Sequence, residues 1–304
     1  MNCRVESTDE ITLLKKDVYM KIVLNLLFYF FMLNYVFSGE LIWKAYGHYN
    51  FEKIFAVSEN EQIISATTDT AIEAYKDKNK LKRTVFLSSS MVFESTNVYP
   101  TKESDLKVIP PPFSSYGFQK LAVEYFAKAA HSQYGLEYSI ARPFNAVGIG
   151  EVKTETNKEL SKNSQNLALS HVVPDLILKC LDYKDELEIL GEGNQVRHYT
   201  YGEDLAKGIC TLMTHESAKN DDFNLSTSQS TTVLELVDVI FNKINPGKKL
   251  KIKNLEPFTY DVQKRIPSTE KAKELLGFEA TTSLSDMLDI VIPWVKEAKE
   301  NNLY

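Results

Sequence analysis

From residue 50 onward, apolar and polar positions recur with the periods of ordinary α/β elements. Ser58 and Glu61 have the spacing of a capping box, and Ile63, Thr67, Thr70, Ala71 and Ala74 follow as one apolar face. That pattern predicts a helix to about Tyr75. Lys76 to Lys82 reads as a charged turn. Thr84–Ser88 is a short apolar strand, with Ser88-Ser89-Ser90 at its C-terminal end. A loop from Glu94 to Ser115 carries Pro110-Pro111-Pro112. Ser114 or Ser115 then caps a helix to about Gln133, which Gly135 stops. Glu137–Arg142 is the next strand and runs into Pro143-Phe144-Asn145. Strand, helix, strand in this order predicts a parallel sheet with right-handed crossovers.

After Gly150 the pattern changes. Residues 151–166 are polar and read as a loop. Pro174 suits the first turn of a helix to about Leu181. Leu187–Leu190 and Val196–Tyr201 are short strands around Gly191-Glu192-Gly193-Asn194, and acidic Glu203 and Asp204 favour a helix start. Thr232 and Glu235 box a helix to about Ile244. Leu250–Leu255 is a strand, and Ser283 with Asp286 caps a last helix that Pro293 is expected to kink.

One segment departs from this pattern. Ile22 to Gly39 carries no charge over eighteen residues, behind Lys15, Lys16 and Lys21 and ahead of Glu40. Its length is at the lower edge of a membrane span, and from Met20 it also resembles a secretory signal. A core helix and a non-homologous start are the other readings. The expected organisation is an apolar segment over 1–40, a truncated Rossmann-like domain over 41–165 and a substrate-binding region over 166–304.

Composition narrows the function. The net charge of −6 provides no basic surface for nucleic acid. Cys3, Cys180 and Cys210 form no close ligand pair, so neither a metal site nor a disulfide framework is expected. The chemistry lies elsewhere. Tyr116 and Lys120 are four apart on one helix and share a face. An ammonium beside a phenol favours the phenolate, which lets a tyrosine act as a general base. The serine-rich strand end and the Arg142-Pro143-Phe144-Asn145 strand end fall at the same edge of the sheet, where α/β folds bind ligands.

The segments SSSMVF, SSYGFQK, RPFNAVG and LGEGNQVRHYTYGEDLA, in this order, resemble the NAD-dependent epimerase/dehydratase family. These are extended short-chain dehydrogenases that act on nucleotide sugars. The similarity runs from about Asn60 to Trp294, and DVQKRIPSTEKAKELLGFE is similar to the family's substrate-domain signature. The resemblance implies an α/β fold: an incomplete Rossmann-like parallel sheet with a smaller C-terminal substrate-binding domain. It implies catalytic roles for Tyr116 as base, Lys120 as ribose ligand and pKa modifier, and Ser89 as hydrogen-bond donor. Pro143 would lie beside the nicotinamide with Tyr116 and Lys120. Ser90, Asn145, Arg197 and Arg265 would face the nucleotide sugar. The implied activity is carbohydrate metabolism in the cytoplasm, an isomerase reaction with NAD through a transient keto-sugar. A homodimer and a membrane contact through Ile22 to Gly39 are further options. So is a non-catalytic remnant that binds a nucleotide sugar or a partner protein.

Three departures qualify the resemblance. The Asp-Glu pair that dehydratases carry after the serine is replaced here by Ser90-Met91, which fits epimerisation better than elimination. Ser268 stands where the family has Asp. No Gly-x-x-Gly-x-x-Gly occurs before residue 84, where Gly39 and Gly47 are the only glycines. That turn supplies the pyrophosphate site of the fold, so NAD binding by this chain is expected to suffer.

Overall fold

The structure is a computed structural model that describes residues 54–58, 63–66, 81–150, 171–257 and 262–303. The apolar run Ile22–Gly39 and the polar loop expected at 151–166 lie outside them.

The central sheet has five strands. β1 (Ile54–Ser58), β2 (Ile63–Ala66), β3 (Leu81–Leu87), β4 (Tyr138–Pro143) and a later strand, Asp221–Leu225, stand in the order β2-β1-β3-β4 and then Asp221–Leu225. β3, β4 and Asp221–Leu225 are parallel, with Phe86 opposite Ile140 and Ala141 opposite Phe223. β1 runs antiparallel to both β2 and β3. β3 and β4 are parallel as expected, and β1 and β2 add antiparallel strands at one edge. One expectation is corrected here. Ile63–Ala66, expected within a helix, is a strand, and Ser58 ends β1 rather than capping a helix. Ile63 and Ile64 are β-branched, and ladder pairing with β1 outweighs a capping pattern that amounts to two residues.

Between β3 and β4 runs α1 (Ser115–Tyr134). Ser114 caps it, its Oγ accepting from the Gly117 N–H at 3.0 Å, and Gly135 ends it in the left-handed region at φ 75°. Gly117, Lys120, Val123, Glu124, Ala127 and Ala130 form its buried face. Neighbouring residues of a strand point to opposite faces of a sheet, and that alternation builds two cores. Phe86 and Ile140 pack under Val123, Ala127 and Ala130 of α1. Val85, Ala141, Phe223 and Leu225 pack on the other face against Leu205, Ile209 and Leu212.

The rest of the chain forms a second cluster and returns to the sheet. β5 (Ala146–Val147) follows β4 directly, and α2 (Val172–Leu181) opens the C-terminal part. Then come β6 (Leu187–Leu190), β7 (Val196–Arg197), β8 (Thr200–Tyr201) and α3 (Gly202–Thr214), the helix that contributes Leu205 to Leu212. The last sheet strand, Asp221–Leu225, is β9. β10 (Thr231–Thr232), α4 (Val233–Ile244), β11 (Ile252–Leu255), α5 (Glu270–Leu276) and α6 (Leu284–Glu300) complete the order. α4 starts with the expected Thr232–Glu235 capping box, and α6 continues through Pro293 as one helix. Ile177, Leu187, Leu236, Ile240, Leu288 and Val291 make the core of this second cluster. It joins the sheet edge where β5 pairs with β8, Ala146 against Thr200. Among the described residues, no helix is long and apolar enough to cross a membrane.

Candidate active site

β3 ends at Leu87, and three serines follow. The Ser88 N–H donates to the Ala141 carbonyl at 2.8 Å and extends the ladder by one residue. Ser89 is extended and caps a short 3-10 turn over Ser90–Phe93, its Oγ accepting from the Met91 N–H at 3.2 Å. Ser90 is buried inside that turn. The turn passes beneath the first residues of α1, and the side chains of Tyr116 and Ser89 hydrogen-bond to each other. Lys120, only 5% exposed, donates from Nζ to the Leu87 carbonyl at 2.9 Å. Its ammonium lies 6.0 Å from the centre of the Tyr116 ring. Ser89, Tyr116 and Lys120 thus meet at the end of β3, as the motif spacing predicted.

Burial raises the Tyr116 phenol above its ordinary value. The Ser89 hydrogen bond and the charge of Arg265 pull it back only in part.

β4 brings the second group. Pro143 is its last residue and pairs with Leu225, and the Phe144 N–H donates to the Leu225 carbonyl at 3.1 Å. Asn145 takes φ 37°, a left-handed conformation that asparagine tolerates better than most residues. Its carbonyl accepts from the Thr200 N–H at 3.1 Å, and its Nδ2 contacts the His198 carbonyl at 3.4 Å. Asn145 therefore ties the strand end to the second cluster at the residues just after Arg197.

Arg197 and Arg265 come from neighbouring strands of chain. The Arg265 N–H donates to the Val196 carbonyl at 3.1 Å, and Arg197 Nη1 donates to the same carbonyl at 2.9 Å and to that of Gln263 at 3.3 Å. Both guanidinium groups act on Tyr199, a buried tyrosine between them in sequence. Burial pushes its phenol up to about 12, and the two charges oppose that shift. Two cations and a tyrosine near the Tyr116 end of the sheet suit an anionic ligand. Ser268, where the resemblance led to an expected Asp, is buried, and its carbonyl accepts from Asn224 Nδ2 at 3.3 Å.

Behind the site lies a set of charges that motif spacing did not single out. Glu124, 1% exposed, accepts from Ser88 Oγ at 2.5 Å, from Arg142 Nε at 2.8 Å and from Arg142 Nη2 at 2.7 Å. Arg142 Nη1 forms an ion pair with Asp222 Oδ2 at 2.5 Å. Burial alone would lower the Arg142 guanidinium, but Glu124 and then Asp222 hold it above its ordinary range. The signal was in the sequence: Tyr116, Lys120 and Glu124 recur every fourth residue along one stripe of α1. A cavity of about 720 Å³ opens on the far side of this pair, lined by Glu103, Glu124, Arg142, Asp222 and Lys271 among others. None of the predicted site residues lines it. No cluster of three metal-ligating side chains occurs among the described residues.

The chain is similar to UDP-glucuronic acid decarboxylase 1 of Danio rerio, 28% identical over 227 residues, covering 73% of this chain and 50% of that protein. It is also similar to UDP-glucose 4-epimerase of Halalkalibacterium halodurans, 26% identical over 232 residues, covering 72% of this chain and 65% of the relative. It therefore spans between half and two-thirds of the length of these relatives. The crystal structure of UDP-glucose 4-epimerase with UDP-glucose from Thermotoga maritima superposes with a TM-score of 0.61 at 27% identity, covering 75% of this chain and 67% of that one. The crystal structure of UDP-glucuronic acid 4-epimerase from Bacillus cereus in complex with UDP-glucuronic acid and NAD, at 21% identity and a TM-score of 0.59 over 75% of this chain and 67% of that one, shares the fold. The family model for the NAD dependent epimerase/dehydratase family matches residues 56–226, more than half of the chain and all of the Ser89, Tyr116, Lys120 and Pro143 edge, so the chain belongs to that family.

Proposed function

We propose that this chain is the catalytic and substrate-binding part of an NAD-dependent epimerase acting on a uridine diphosphate sugar through a transient keto-sugar. The observation that carries the reading is the meeting of Ser89, Tyr116 and Lys120 at the end of β3. The uridine diphosphate and the sugar class come from what the relatives are named for.

The family's cofactor is NAD, and the residues present fit one end of it. Lys120 and Pro143 sit at adjacent strand ends, where a ribose and a nicotinamide ring would be held. The pyrophosphate end has no glycine turn in this sequence ahead of β3. NAD, when bound, supplies the hydride acceptor. With NAD bound to accept and return hydride, Tyr116 Oη would be the group that takes the proton of the sugar hydroxyl and later gives it back. Ser89 holds the sugar oxygen by a hydrogen bond. Lys120, its ammonium 6.0 Å from the centre of the Tyr116 ring, would hold the ribose, and the charge that favours the Tyr116 phenolate against burial is that of Arg265. Arg197 and Arg265 take the diphosphate as a doubly cationic pair.

A second reading is a non-catalytic remnant that binds a nucleotide sugar or a partner protein. It is favoured by the missing glycine turn and by β1, which runs antiparallel beside β3 where the doubly wound fold carries a parallel strand. Incubation of the chain with NAD and UDP-glucose, UDP-glucuronic acid or UDP-N-acetylglucosamine, followed by proton NMR of the sugar, separates the two. The epimerase reading expects a C4 epimer, and Tyr116→Phe lowers its rate by about 10²–10⁴. No conversion, with nucleotide-sugar binding still measurable by calorimetry, leaves the remnant.

A further inference from the structure

Glu124 is among the most deeply buried carboxylates of the described residues, and it is fully occupied. Its Oε1 accepts from Ser88 Oγ and Arg142 Nε, and its Oε2 accepts from Arg142 Nη2. Each partner stands one residue before a strand-end position of the site. Ser88 precedes Ser89 at the end of β3, and Arg142 precedes Pro143 at the end of β4. Glu124 itself lies one turn beyond Lys120 and two turns beyond Tyr116 on α1. One carboxylate therefore connects the helix carrying Tyr116 and Lys120 to both strand ends that they face.

We propose that Glu124 is a positioning residue for Tyr116 and Lys120, fixing the height of α1 on the sheet so that Tyr116 reaches Ser89 and Lys120 reaches the Leu87 carbonyl. The proposal rests on the reading of Tyr116 and Lys120 as catalytic, but its geometry does not need turnover to be tested. An apolar side chain at 124 fills the same space between α1 and β4. It has no directional bond to either strand end and lets the helix slide. Hydrophobic packing tolerates such a shift, whereas a bidentate fork and a hydroxyl bond do not. The Arg142 charge is balanced by Asp222 as well, at 2.5 Å, and Lys271 holds Asp221 at 2.6 Å and the Asp222 carbonyl at 2.8 Å. The network is thus anchored to β9 and α5 on its far side. Glu124 is the member that reaches α1.

The test follows the Tyr116 hydroxyl in the chain as it stands. Tyrosines labelled with ¹³C at Cζ are titrated by NMR, the Tyr116 resonance being assigned by its loss in Tyr116→Phe. Three variants are compared: Glu124→Gln, Glu124→Asp, and the apolar triple variant Ser88→Ala, Glu124→Leu, Arg142→Met. Replacing a buried ion pair by apolar groups of similar volume is often neutral for stability, so the triple variant is the one designed to fold. Burial is the main cause of the raised Tyr116 value. A loosened helix admits water and moves its midpoint down toward the ordinary value of about 10. A fall of half a unit or more in any folded variant supports the proposal. A Tyr116 midpoint unchanged in every folded variant overturns it, and so does failure of all three to fold, which would make Glu124 a determinant of the fold alone. Where conversion of a nucleotide sugar is measurable, kcat falls about 10²-fold with KM little changed. A shifted Tyr116 midpoint in a chain without turnover would retain the positioning and discard the epimerase reading.

Discussion

Gly117→Ala is a sharp test of how tightly the helix that carries Tyr116 and Lys120 is seated. Gly117 follows Tyr116 directly, and a Cβ built there would lie 2.7 Å from the Met91 carbonyl oxygen and 2.7 Å from Pro112 Cβ. Both distances are below those that real Cβ atoms show, and neither neighbour is the end of a flexible side chain. The φ of Gly117 is not positive, so space alone sets the cost. Overpacking of this kind costs about 1–3 kcal/mol. Two fixed neighbours, one a backbone carbonyl in the turn that Ser89 caps, place it in the upper part of that range. Against it stands the helix propensity of alanine, worth at most about 1 kcal/mol over glycine. The net expectation is a loss of about 1–2 kcal/mol in urea unfolding at neutral pH. The strain falls between Met91 and the first turn of α1, so Tyr116 moves away from Ser89 and its ¹³C titration midpoint shifts. A Gly117→Ala protein as stable as the parent, with Tyr116 titrating unchanged, would show that the first turn of α1 is not pressed against the serine turn as described.

The remaining predictions address cofactor, substrate and pH. NAD titrated by calorimetry against the chain is expected to bind weakly, so that conversion needs NAD in large excess, because no glycine turn in this sequence supplies pyrophosphate N–H groups; micromolar affinity would sink that idea. Arg197→Ala is expected to raise KM for the nucleotide sugar and leave the pH profile alone, and a loss confined to kcat would remove Arg197 from the diphosphate subsite. His198 is buried, its Nδ1 pairs with the Thr227 carbonyl at 2.9 Å, and burial lowers its folded pKa below the ordinary 6.5. A lowered histidine favours the neutral form in the fold, so its stability contribution is present above pH 6.5 and is lost as pH falls below it. The slope is at most about 1.4 kcal/mol per pH unit. His198→Asn keeps a donor for Thr227 and should flatten urea-unfolding free energies between pH 6.5 and 5; equal slopes in the two proteins would exclude His198 as the group responsible.

What could be read from the sequence was chemistry that repeats locally. Ser114, Gly135 and the Thr232–Glu235 box mark helix ends by bonds within four residues, and all three stand as expected. Tyr116 and Lys120 share a helix face by spacing alone, and the strand–helix–strand order brings Ser89 and Pro143 to the same edge. The failures are non-local. Ile63–Ala66 joins a sheet because β1 lies beside it, and no residue in the segment announces that partner. The antiparallel pairing of β1 with β3 sets Phe55 opposite Val85, two positions that lie too far apart in sequence for periodicity to join. β9 returns to the sheet from beyond residue 220, so the sheet is completed by chain that the motifs assign to the substrate side.

Glu124 and Arg142 show the same limit at the site itself. Glu124 stands one turn beyond Lys120 on α1 and Arg142 closes the strand read at Glu137–Arg142, but neither position names the other as its partner. Only their pairing explains why either is buried. Arg142 is 0% exposed because Glu124 and Asp222 approach it from opposite sides, and a buried arginine without them would cost several kcal/mol. The motif residues are spaced so that a reader of sequence finds them. Glu124 shares their stripe of α1, but its role becomes visible only when α1, β3 and β4 are seen to meet at one carboxylate.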